Sequence, residues 1–473
     1  MHRDSSAYII VGAGNIVYTG RMGIKIGIDD MALVVPELYL DMKKEFAKAR
    51  NVSEQKITTI GIEKMAVPDV HEDAVTLGAD AMQQLMSKND LRPKDMATVY
   101  VATESSVDES KAMGTYIMGV LEKIYGDRSF RRVDSRELKC ACASGMQAVY
   151  DAKRLIESGH NSGKCVVVIA TDIARYDMGS PGKPSPGELT QGAGAVAMLI
   201  KPNPRLLELD DIYVTSFRHK YDFYRPPERD TAIVDSKNSK ECYLEAMLEG
   251  LEDYTVLALK SGMITLKPGE CLSDYFAMIN FHIPFPRMAE NAAAEFFRRQ
   301  WRGLLRMKSI EAAIGSEPKR EDFKAHEKHL EDFRDTPTCK SAYKEKVEPT
   351  TLLSRQIGNI YTGSIFLGII SGYVSTLNSR NLAGVRVGLG AYGSGRMAIV
   401  GSGVTSENYR EVVSKMDPRK ALDSRQEISL IEYEALHPRT QIPSIRPPRI
   451  GGCFREYNQR NDRMEYDFAR KIA

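Results

Sequence analysis

Two cysteines, Cys140 and Cys142, are separated by one alanine in the stretch 137–149 (ELKCACASGMQAV). Such a pair could be a metal clip, a redox pair, or one nucleophile beside an inert thiol. A metal site needs two further ligands close by, and the sequence contains no second CxC or HxH pair with suitable spacing. The metal interpretation is therefore the weakest of the three.

Cys142 occupies a position that favours a nucleophile. Small residues follow it, and residues 146–153 (MQAVYDAK) continue in a helical pattern, so this cysteine lies at a strand-to-helix turn. The N-terminus of a helix carries partial positive charge and free backbone N–H groups, which lower a thiol pKa and can hold an oxyanion. Buried cysteines are also common as inert packing residues, so the residues alone leave a catalytic and a structural Cys142 open.

The elements that must position this turn follow an alternating α/β pattern. The pattern predicts one helix, 144–157, and five apolar strands: 97–103, 166–170, 193–200, 385–389 and 396–400. The last two strands flank a glycine-rich hairpin, 390–395. Residues 191–200 and 392–400 share a layout in which small residues lead into an apolar strand. This echo predicts a duplicated α/β unit.

Composition excludes several classes of function. The chain has 473 residues and a formal net charge of +2, so no strongly basic face for nucleic acid is indicated. No apolar run approaches the roughly 20 residues that span a bilayer, and we expect a soluble protein without membrane contact. Seven cysteines, odd in number and without a CxxC pair, favour reduced thiols in a cytoplasmic compartment.

Two regions differ from the α/β pattern. Residues 9–14 (IIVGAG) look like the start of a dinucleotide-binding fingerprint, but Val17 stands where its third glycine belongs. We therefore expect residues 1–21 to be an extension outside the fold. Residues 296–306 and the charged run 319–346 predict surface helices inserted between strand-rich blocks.

Eight stretches match the motifs of one family in the family's order. They are 102–108 (ATESSVD), 142–149 (CASGMQAV), 190–197 (TQGAGAVA), 221–226 (YDFYRP), 234–239 (VDSKNS), 281–285 (FHIPF), 358–364 (GNIYTGS) and 392–395 (YGSG). Together they resemble the 3-hydroxy-3-methylglutaryl-CoA synthases, a branch of the thiolase-fold condensing enzymes. The resemblance covers nearly the whole chain from about Met22. It implies an α/β, thiolase-like, duplicated five-layer α-β-α-β-α fold, with halves at 22–205 and 206–473 and a helical insertion at about 295–350.

The resemblance also implies a reaction. The family condenses acetyl-CoA with acetoacetyl-CoA to give 3-hydroxy-3-methylglutaryl-CoA and free CoA in the mevalonate pathway to isoprenoids. Cys142 would carry the acetyl group, because a thiolate attacks thioesters and leaves readily. Glu104 would remove a proton from the acetyl methyl group, and His282 would donate to the ketone oxygen of the acceptor. Cys140 has no role in the family pattern.

Further positions are carried over from the family in the same way. The residues implied near the acyl groups are Thr190, Ser239, Asn359, Ser394, Asp172, Tyr176 and Asp222. Those implied to bind coenzyme A are Lys56, Arg287 and Ser180. No metal and no separate cofactor are implied, since both CoA thioesters are substrates. Ala143 and Asn291 depart from the family, which commonly has tyrosine and lysine at these two positions.

Other functions fit the same residues. One alternative is a β-branching synthase that acts on a β-ketoacyl group held by a carrier protein. Another is a non-catalytic acyl-CoA-binding protein on a thiolase fold. A biosynthetic thiolase is less favoured, because Cys453 lacks the C-x-G context of the second thiolase cysteine. The resemblance implies a homodimer and leaves a thiolase or carrier-protein partner open.

Overall fold

The structure is a computed structural model that describes residues 10–12, 15–17, 24–185, 187–319, 321–438, 442–461 and 463–469. Most of the expected extension 1–21 thus lies outside the described residues. Its described part forms two short strands that pair with each other, apart from the main sheet.

Strands occur along the whole described chain. They are β1 (Ile10–Gly12), β2 (Asn15–Val17), β3 (Ile26–Val34), β4 (Leu38–Asp41), β5 (Lys64–Val67), β6 (Met96–Ala102), β7 (Asp134–Leu138), β8 (Cys165–Ile173), β9 (Ala193–Pro202), β10 (Leu207–Phe217), β11 (Phe223–Tyr224), β12 (Ile233–Val234), β13 (Met278–Phe281), β14 (Arg386–Gly393), β15 (Met397–Thr405), β16 (Gln426–Ile428), β17 (Cys453–Asn458) and β18 (Arg463–Phe468).

Helices alternate with these strands. The α-helices are α1 (Lys48–Arg50), α2 (Glu54–Ile60), α3 (Ala74–Lys88), α4 (Met113–Tyr125), α5 (Ser144–Glu157), α6 (Ser236–Lys260), α7 (Leu272–Tyr275), α8 (Pro286–Trp301), α9 (Leu305–Ile314), α10 (Phe323–Asp335), α11 (Pro337–Lys346), α12 (Glu348–Ile357), α13 (Ser364–Thr376), α14 (Tyr409–Val413), α15 (Pro418–Asp423) and α16 (Leu430–Leu436). A π-helical turn, Met42–Ala47, precedes α1.

One nine-stranded sheet contains the same arrangement twice. Its order is β13-β14-β15-β10-β3-β9-β8-β6-β7. From β3 outward, the first two pairings are antiparallel and the third, β8 with β6, is parallel. From β10 outward the pattern repeats, and the parallel pair is β14 with β13. β9 and β15 occupy equivalent places, so the duplication predicted from the sequence echo is confirmed.

Three hydrophobic clusters define the layers. The central cluster packs α5 and α13 between the two halves of the sheet. A second cluster packs α3 and α4 on the outer face of the first half, and a third packs α6 and α8 on the outer face of the second half. Val166 and Val168 face the central cluster while Val167 faces the outer one, as expected for strands buried on both faces. The five-layer fold is confirmed.

The local predictions were largely accurate. The predicted helix 144–157 is α5, and each of the five predicted strands begins within one residue of an observed strand, while β8, β14 and β15 continue three to five residues beyond the predicted ends. The prediction of a surface helix at 296–306 is wrong for α8. Phe296 and Trp301 are buried there, and the guanidinium of Arg298 is buried in an ion pair with Glu295. Charge alone did not reveal burial, because opposite charges three residues apart can pair inside a protein.

No helix in the described ranges is long and apolar enough to cross a membrane.

Candidate active site

The turn that carries Cys142 joins β7 to α5. Ala141 adopts a left-handed backbone with φ of +46°, and the amide of Ala143 donates to the carbonyl of Cys140 across 3.2 Å. The turn therefore ends at Ala143, directly before the first residue of α5, Ser144. Cys142 is 6% exposed and faces the site, whereas the Cys140 sulfur lies 3.3 Å from the sulfur of Met397.

Cys142 is paired with Glu104. Its thiol donates to Oε1 of Glu104 across 2.8 Å. Burial, together with the negative charge of Asp172, raises the pKa of Glu104 to about 8. Burial and the carboxylate of Glu104 raise the pKa of Cys142. The proton of the pair thus stays on sulfur or carboxyl in the resting site, and removing it requires a change in charge or solvation.

Asp172 fixes the loop that carries Glu104. This loop follows β6, and Asp172 lies near the end of β8, the parallel neighbour of β6. Oδ1 of Asp172 accepts from the amide of Glu104 at 2.7 Å, from the hydroxyl of Ser105 at 2.9 Å and from that of Thr103 at 3.1 Å. Oδ2 accepts from the amide of Thr362 at 3.0 Å and from its hydroxyl. One carboxylate therefore joins the Glu104 loop to the second half of the chain.

His282 is the counterpart of Glu104 in the second half. It follows β13 as Glu104 follows β6, and each of these strands lies parallel to its neighbour. The duplication therefore gives Glu104 and His282 equivalent positions in the two halves. The amide of His282 donates to the carbonyl of Gly390 across 2.7 Å, and its own carbonyl accepts from Tyr243.

The imidazole of His282 is neutral and enclosed. It is 1% exposed, and burial lowers its pKa to about 3. Within the described residues neither ring nitrogen has a hydrogen-bond partner, and only Nδ1 is fully enclosed. We infer that Nε2 faces the substrate. A neutral ring can donate from only one nitrogen, so donation from Nε2 requires Nδ1 to be unprotonated.

Thr190 and Asn359 come together where the two halves touch. The amide of Asn359 donates to the carbonyl of Thr190 across 2.9 Å. The contact depends on glycine, since a Cβ on Gly192 would lie 2.5 Å from the carbonyl oxygen of Ile357. The side-chain oxygen of Asn359 accepts from the amide of Tyr361 and the hydroxyl of Ser364, both at 2.9 Å. Its amide nitrogen is therefore the group left to donate to a substrate.

Aromatic rings form the wall around Cys142. Tyr176, Phe223 and Tyr361 meet edge to face, with ring centroids 5.9–6.2 Å apart. Cys142 packs in the same cluster, with Ala232 beside it. Such a wall excludes water, which raises carboxyl pKa values and strengthens any hydrogen bond made inside the site.

Asp222 holds the hairpin that contains Ser394. Its carboxylate accepts from the hydroxyl of Tyr392 and from the amide of Gly395, both at 2.7 Å. A Cβ on Gly393 would lie 2.4 Å from the carbonyl oxygen of Cys140, so the hairpin presses against the nucleophile turn. Ser394 is thereby placed next to that turn.

The three positions carried over for coenzyme A lie on or beside residues 50–60 of the first half. Lys56 is exposed on α2. Nε of Arg287 donates to the carbonyl of Thr59 across 3.2 Å, and its guanidinium pairs with Glu290. Ser180 is exposed in a tight turn with Lys183, and the adjacent Gly182 donates to the carbonyl of Arg50. Most of the loop 177–188 is described, but its Pro186 lies outside the described residues.

Two positions stand apart or are changed. Ser239 lies half-buried in the first turn of α6, and no side-chain hydrogen bond links it to Cys142, Glu104 or His282 within the described part of the chain. Asn291 accepts from Nη1 of Arg334 across 2.9 Å. An arginine from α10 thus stands beside the position at which a lysine was expected.

Sequence reasoning missed several residues at the site. They are Ser105, Phe223, Arg225, Tyr361 and Thr362, of which Arg225 donates to the carbonyl of Glu104. All five lie inside motifs already recognised by resemblance, so the motifs located them without revealing their contacts. Among the described residues no group of three or more His, Cys, Asp and Glu side chains could hold a metal ion.

Comparison with known proteins gives one consistent match. Family models described as hydroxymethylglutaryl-coenzyme A synthase N terminal and C terminal match residues 23–205 and 207–442. The hydroxymethylglutaryl-CoA synthase of Haloferax volcanii is 36% identical over 421 residues, which cover 87% of this chain and 91% of that protein. The enzyme of Enterococcus faecalis is 34% identical over 417 residues, covering 88% and 92%. The solved structure of MvaS in complex with 3-hydroxy-3-methylglutaryl coenzyme A has a TM-score of 0.81 at 30% identity, covering 95% of this chain and 100% of that chain.

Proposed function

The chain belongs to the hydroxymethylglutaryl-CoA synthase family and condenses acetyl-CoA with acetoacetyl-CoA; from that premise we propose which of its residues carry out each step. The observation that carries the proposal is the hydrogen bond from the Cys142 thiol to Glu104. A nucleophile, a base within hydrogen-bond reach of it and a group that orients the base are the parts that covalent acyl transfer needs. Cys142, Glu104 and Asp172 supply these parts.

In the first half-reaction Glu104 accepts the thiol proton and Cys142 attacks the thioester carbon of acetyl-CoA. The new bond to Sγ forms, the bond to the CoA sulfur breaks, and the CoA thiolate leaves with the proton from Glu104. We assign stabilisation of the oxyanion to backbone N–H groups of the nucleophile turn and of the adjacent hairpin at Ser394. The products are acetyl-Cys142, free CoA and ionised Glu104.

In the second half-reaction Glu104 removes a proton from the acetyl methyl group. The resulting enolate carbon attacks the ketone carbon of acetoacetyl-CoA, and the ketone oxygen becomes an alkoxide. Nε2 of His282 donates a hydrogen bond to that oxygen, and the amide nitrogen of Asn359 donates to the acceptor's thioester carbonyl. The proton held by Glu104 then neutralises the alkoxide.

Hydrolysis completes the cycle. Water attacks the thioester of Cys142, the carbon–sulfur bond breaks, and sulfur takes a proton from the water. 3-Hydroxy-3-methylglutaryl-CoA and free enzyme result, and the product feeds the mevalonate route to isoprenoids. Asp172 and Asp222 support these steps by holding the Glu104 loop and the Ser394 hairpin, and Tyr176 forms part of the aromatic wall around Cys142.

Coenzyme A binding is proposed around α2 and the start of α8. Lys56 and Arg287 supply positive charge there, and the turn at Ser180 lies beside them. Arg334, which contacts Asn291, adds a cation close to the position that lacks the family's lysine. Phosphates bind such clusters through charge-assisted hydrogen bonds.

Mass spectrometry of the purified protein mixed with acetyl-CoA tests the chemistry. One acetyl group on the Cys142 peptide is expected, and it should discharge when acetoacetyl-CoA is added, with 3-hydroxy-3-methylglutaryl-CoA appearing. An acetyl group that persists with acetoacetyl-CoA but clears with an acetoacetylated carrier protein would replace this proposal with β-branching. Absence of acetylation would contradict the covalent mechanism.

We also propose a cytoplasmic homodimer. All seven cysteines are free thiols, as a reducing compartment permits. The two edges of the nine-stranded sheet differ, since β13 is buried whereas every residue of β7 is exposed or half-buried. An open edge strand is a ready surface for pairing with a second chain. Light scattering of the purified protein should give twice the chain mass of 52.8 kDa.

A further inference from the structure

Asn280 is a buried polar residue without a protein partner, two positions before His282. Its side chain is 0% exposed, and within the described residues neither its amide oxygen nor its amide nitrogen has a hydrogen-bond partner. A buried amide left without a hydrogen-bond partner destabilises the folded state. Met278, two positions earlier on the same strand, packs in the central hydrophobic cluster.

Asn280 and His282 point the same way from their strand. Side chains alternate along β13, with Met278 in the central layer and Ile279 and Phe281 in the outer one. The extended backbone continues through His282, whose amide donates to Gly390. Residues two apart on such a strand have Cα atoms about 7 Å apart on one face. Two polar side chains at that spacing are within reach of a single bridging water.

Helix α13 covers this row of side chains. A Cβ on Gly372 would lie 2.3 Å from the sulfur of Met278, and one on Gly368 would lie 3.4 Å from Oδ1 of Asn280. Successive turns of the helix therefore lie over successive inward residues of the strand.

Three polar atoms near the end of β13 are buried without hydrogen-bond partners among the described residues: both amide atoms of Asn280 and Nδ1 of His282. If Nε2 is to donate to the substrate, the ring proton must lie on Nε2 and Nδ1 must be unprotonated, and a donor hydrogen-bonded to Nδ1 favours that tautomer. Neither Asn280 nor His282 bonds the other directly, and no other donor for Nδ1 occurs among the described residues.

We propose that Asn280 is a positioning residue for His282: through one internal water it supplies the donor that Nδ1 needs, and it thereby keeps the ring proton on Nε2, where the ketone oxygen of the acceptor binds. This inference rests on the proposed role of His282 and extends it to a residue that does not touch the substrate. It predicts that Asn280 matters for condensation and not for acetylation of Cys142.

Two substitutions separate hydrogen bonding from volume. N280L keeps the branched shape of the side chain and removes both polar atoms. N280S is smaller but keeps a hydroxyl that can hold the water. If Asn280 acts by hydrogen bonding, N280L should lower the condensation rate about 10-fold or more, while N280S stays within about threefold of the parent. A loss of about 10-fold or more is what removal of the hydrogen-bond partner of a metal-ligating histidine causes in other proteins. If it only fills space, N280S is the more damaging change, and the proposal is wrong.

The measurements are the rate of Cys142 acetylation by acetyl-CoA and kcat for the full reaction, for each variant and in an H282A background. We expect normal acetylation in N280L and no further loss when N280L is added to H282A, because both changes remove one function. Equal losses of acetylation and condensation, or additive losses with H282A, would contradict the role of Asn280. Full condensation activity in H282A alone would instead contradict the proposed role of His282 and this inference with it.

Discussion

The thiol of Cys142 and the carboxylate of Glu104 are hydrogen-bonded across 2.8 Å, although 38 positions separate them and each follows a different strand. Both groups are buried, and burial raises the pKa of each. Neither group titrates as it would in water, so the pair changes charge in the neutral to alkaline range. The acid–base behaviour of the enzyme is expected to reflect this pair.

Replacement of Glu104 by glutamine tests its role as base. E104Q cannot take the methyl proton, so we expect condensation to fall about 10²- to 10⁴-fold. Acetylation of Cys142 should fall less, because water can accept a thiol proton more readily than a methyl proton. In the parent, the condensation rate should rise with pH as Glu104 ionises, with a midpoint at about pH 8.

The pH profile of E104Q serves as its own check. It should lose the rise toward pH 8, whereas E456Q, at an exposed position on β17, should keep the parent profile. A rise that survives in E104Q would assign the titration to another group.

Replacement of Asp172 by asparagine tests how Glu104 is held. Five donors from four residues converge on this carboxylate, and the amide group of asparagine would face some of them with a donor of its own. We expect D172N to lower kcat/KM by about 100-fold and the free energy of unfolding by roughly 1–3 kcal/mol. Steady-state kinetics and urea unfolding measure the two effects.

T362V provides a graded comparison for D172N. It removes one hydroxyl donor to Asp172 but keeps the amide of residue 362 and the bonds to the Glu104 loop. Its loss of activity should be clearly smaller. An equal loss would mean that the link between the halves matters more than the placement of Glu104.

Much of the fold could be predicted because its signals are local. The period of the apolar residues located α5 at its observed bounds, and the repeated layout at residues 191–200 and 392–400 predicted the duplication seen in β9 and β15. The burial of α8 could not be predicted in this way. Arg298 has the composition of a surface residue, and only its partners inside the fold, Glu295 and His326, make burial tolerable.

In the candidate site, too, local patterns predicted some residues, whereas contacts between distant parts of the chain could not be predicted. The turn before a helix indicated Cys142 from local chemistry, and the family motifs indicated Glu104 and His282. The contact between Asp172 and Thr362 joins residues 190 positions apart, and no local pattern encodes it. Asn280 could not be predicted either, because the sequence shows only an asparagine in an apolar strand. Its importance follows from the structure, in which its amide atoms lack hydrogen-bond partners among the described residues.

Replacement of Gly358 by alanine tests the close approach of the two halves. Gly358 has φ of +88°, and a Cβ there would lie 1.9 Å from the carbonyl oxygen of Gln191. Gly126, with φ of +101°, has no atom within 4 Å of such a Cβ in the described structure. Both glycines have backbone angles that other residues rarely adopt, so each change strains the backbone by about 1–3 kcal/mol. G358A should lose several kcal/mol more than G126A in urea unfolding; equal losses would show that the contact at Gln191 relaxes freely.

Replacement of Glu72 by glutamine tests the dependence of stability on pH. Glu72 is buried before α3, and its carboxylate accepts from the amide of Asp69. Burial, which outweighs this bond, raises its pKa to about 8. Because the pKa is higher in the folded than in the unfolded state, the folded protein holds the proton more tightly. Glu72 therefore contributes stability at low pH, and that contribution is lost as pH rises from about 4.5 toward 8.

E72Q cannot ionise and keeps an oxygen that can accept from Asp69. At pH 5 its free energy of unfolding should match that of the parent, and at pH 8.5 it should be higher than that of the parent by roughly 2 kcal/mol. Each unit of pKa shift corresponds to about 1.4 kcal/mol, and local relaxation reduces the full effect. Urea unfolding at the two pH values measures the difference, with E456Q as the exposed control. The difference in free energy of unfolding between the parent and E72Q could instead be the same at pH 8.5 as at pH 5. That result would show that Glu72 ionises in the folded state at little cost, and that water reaches it.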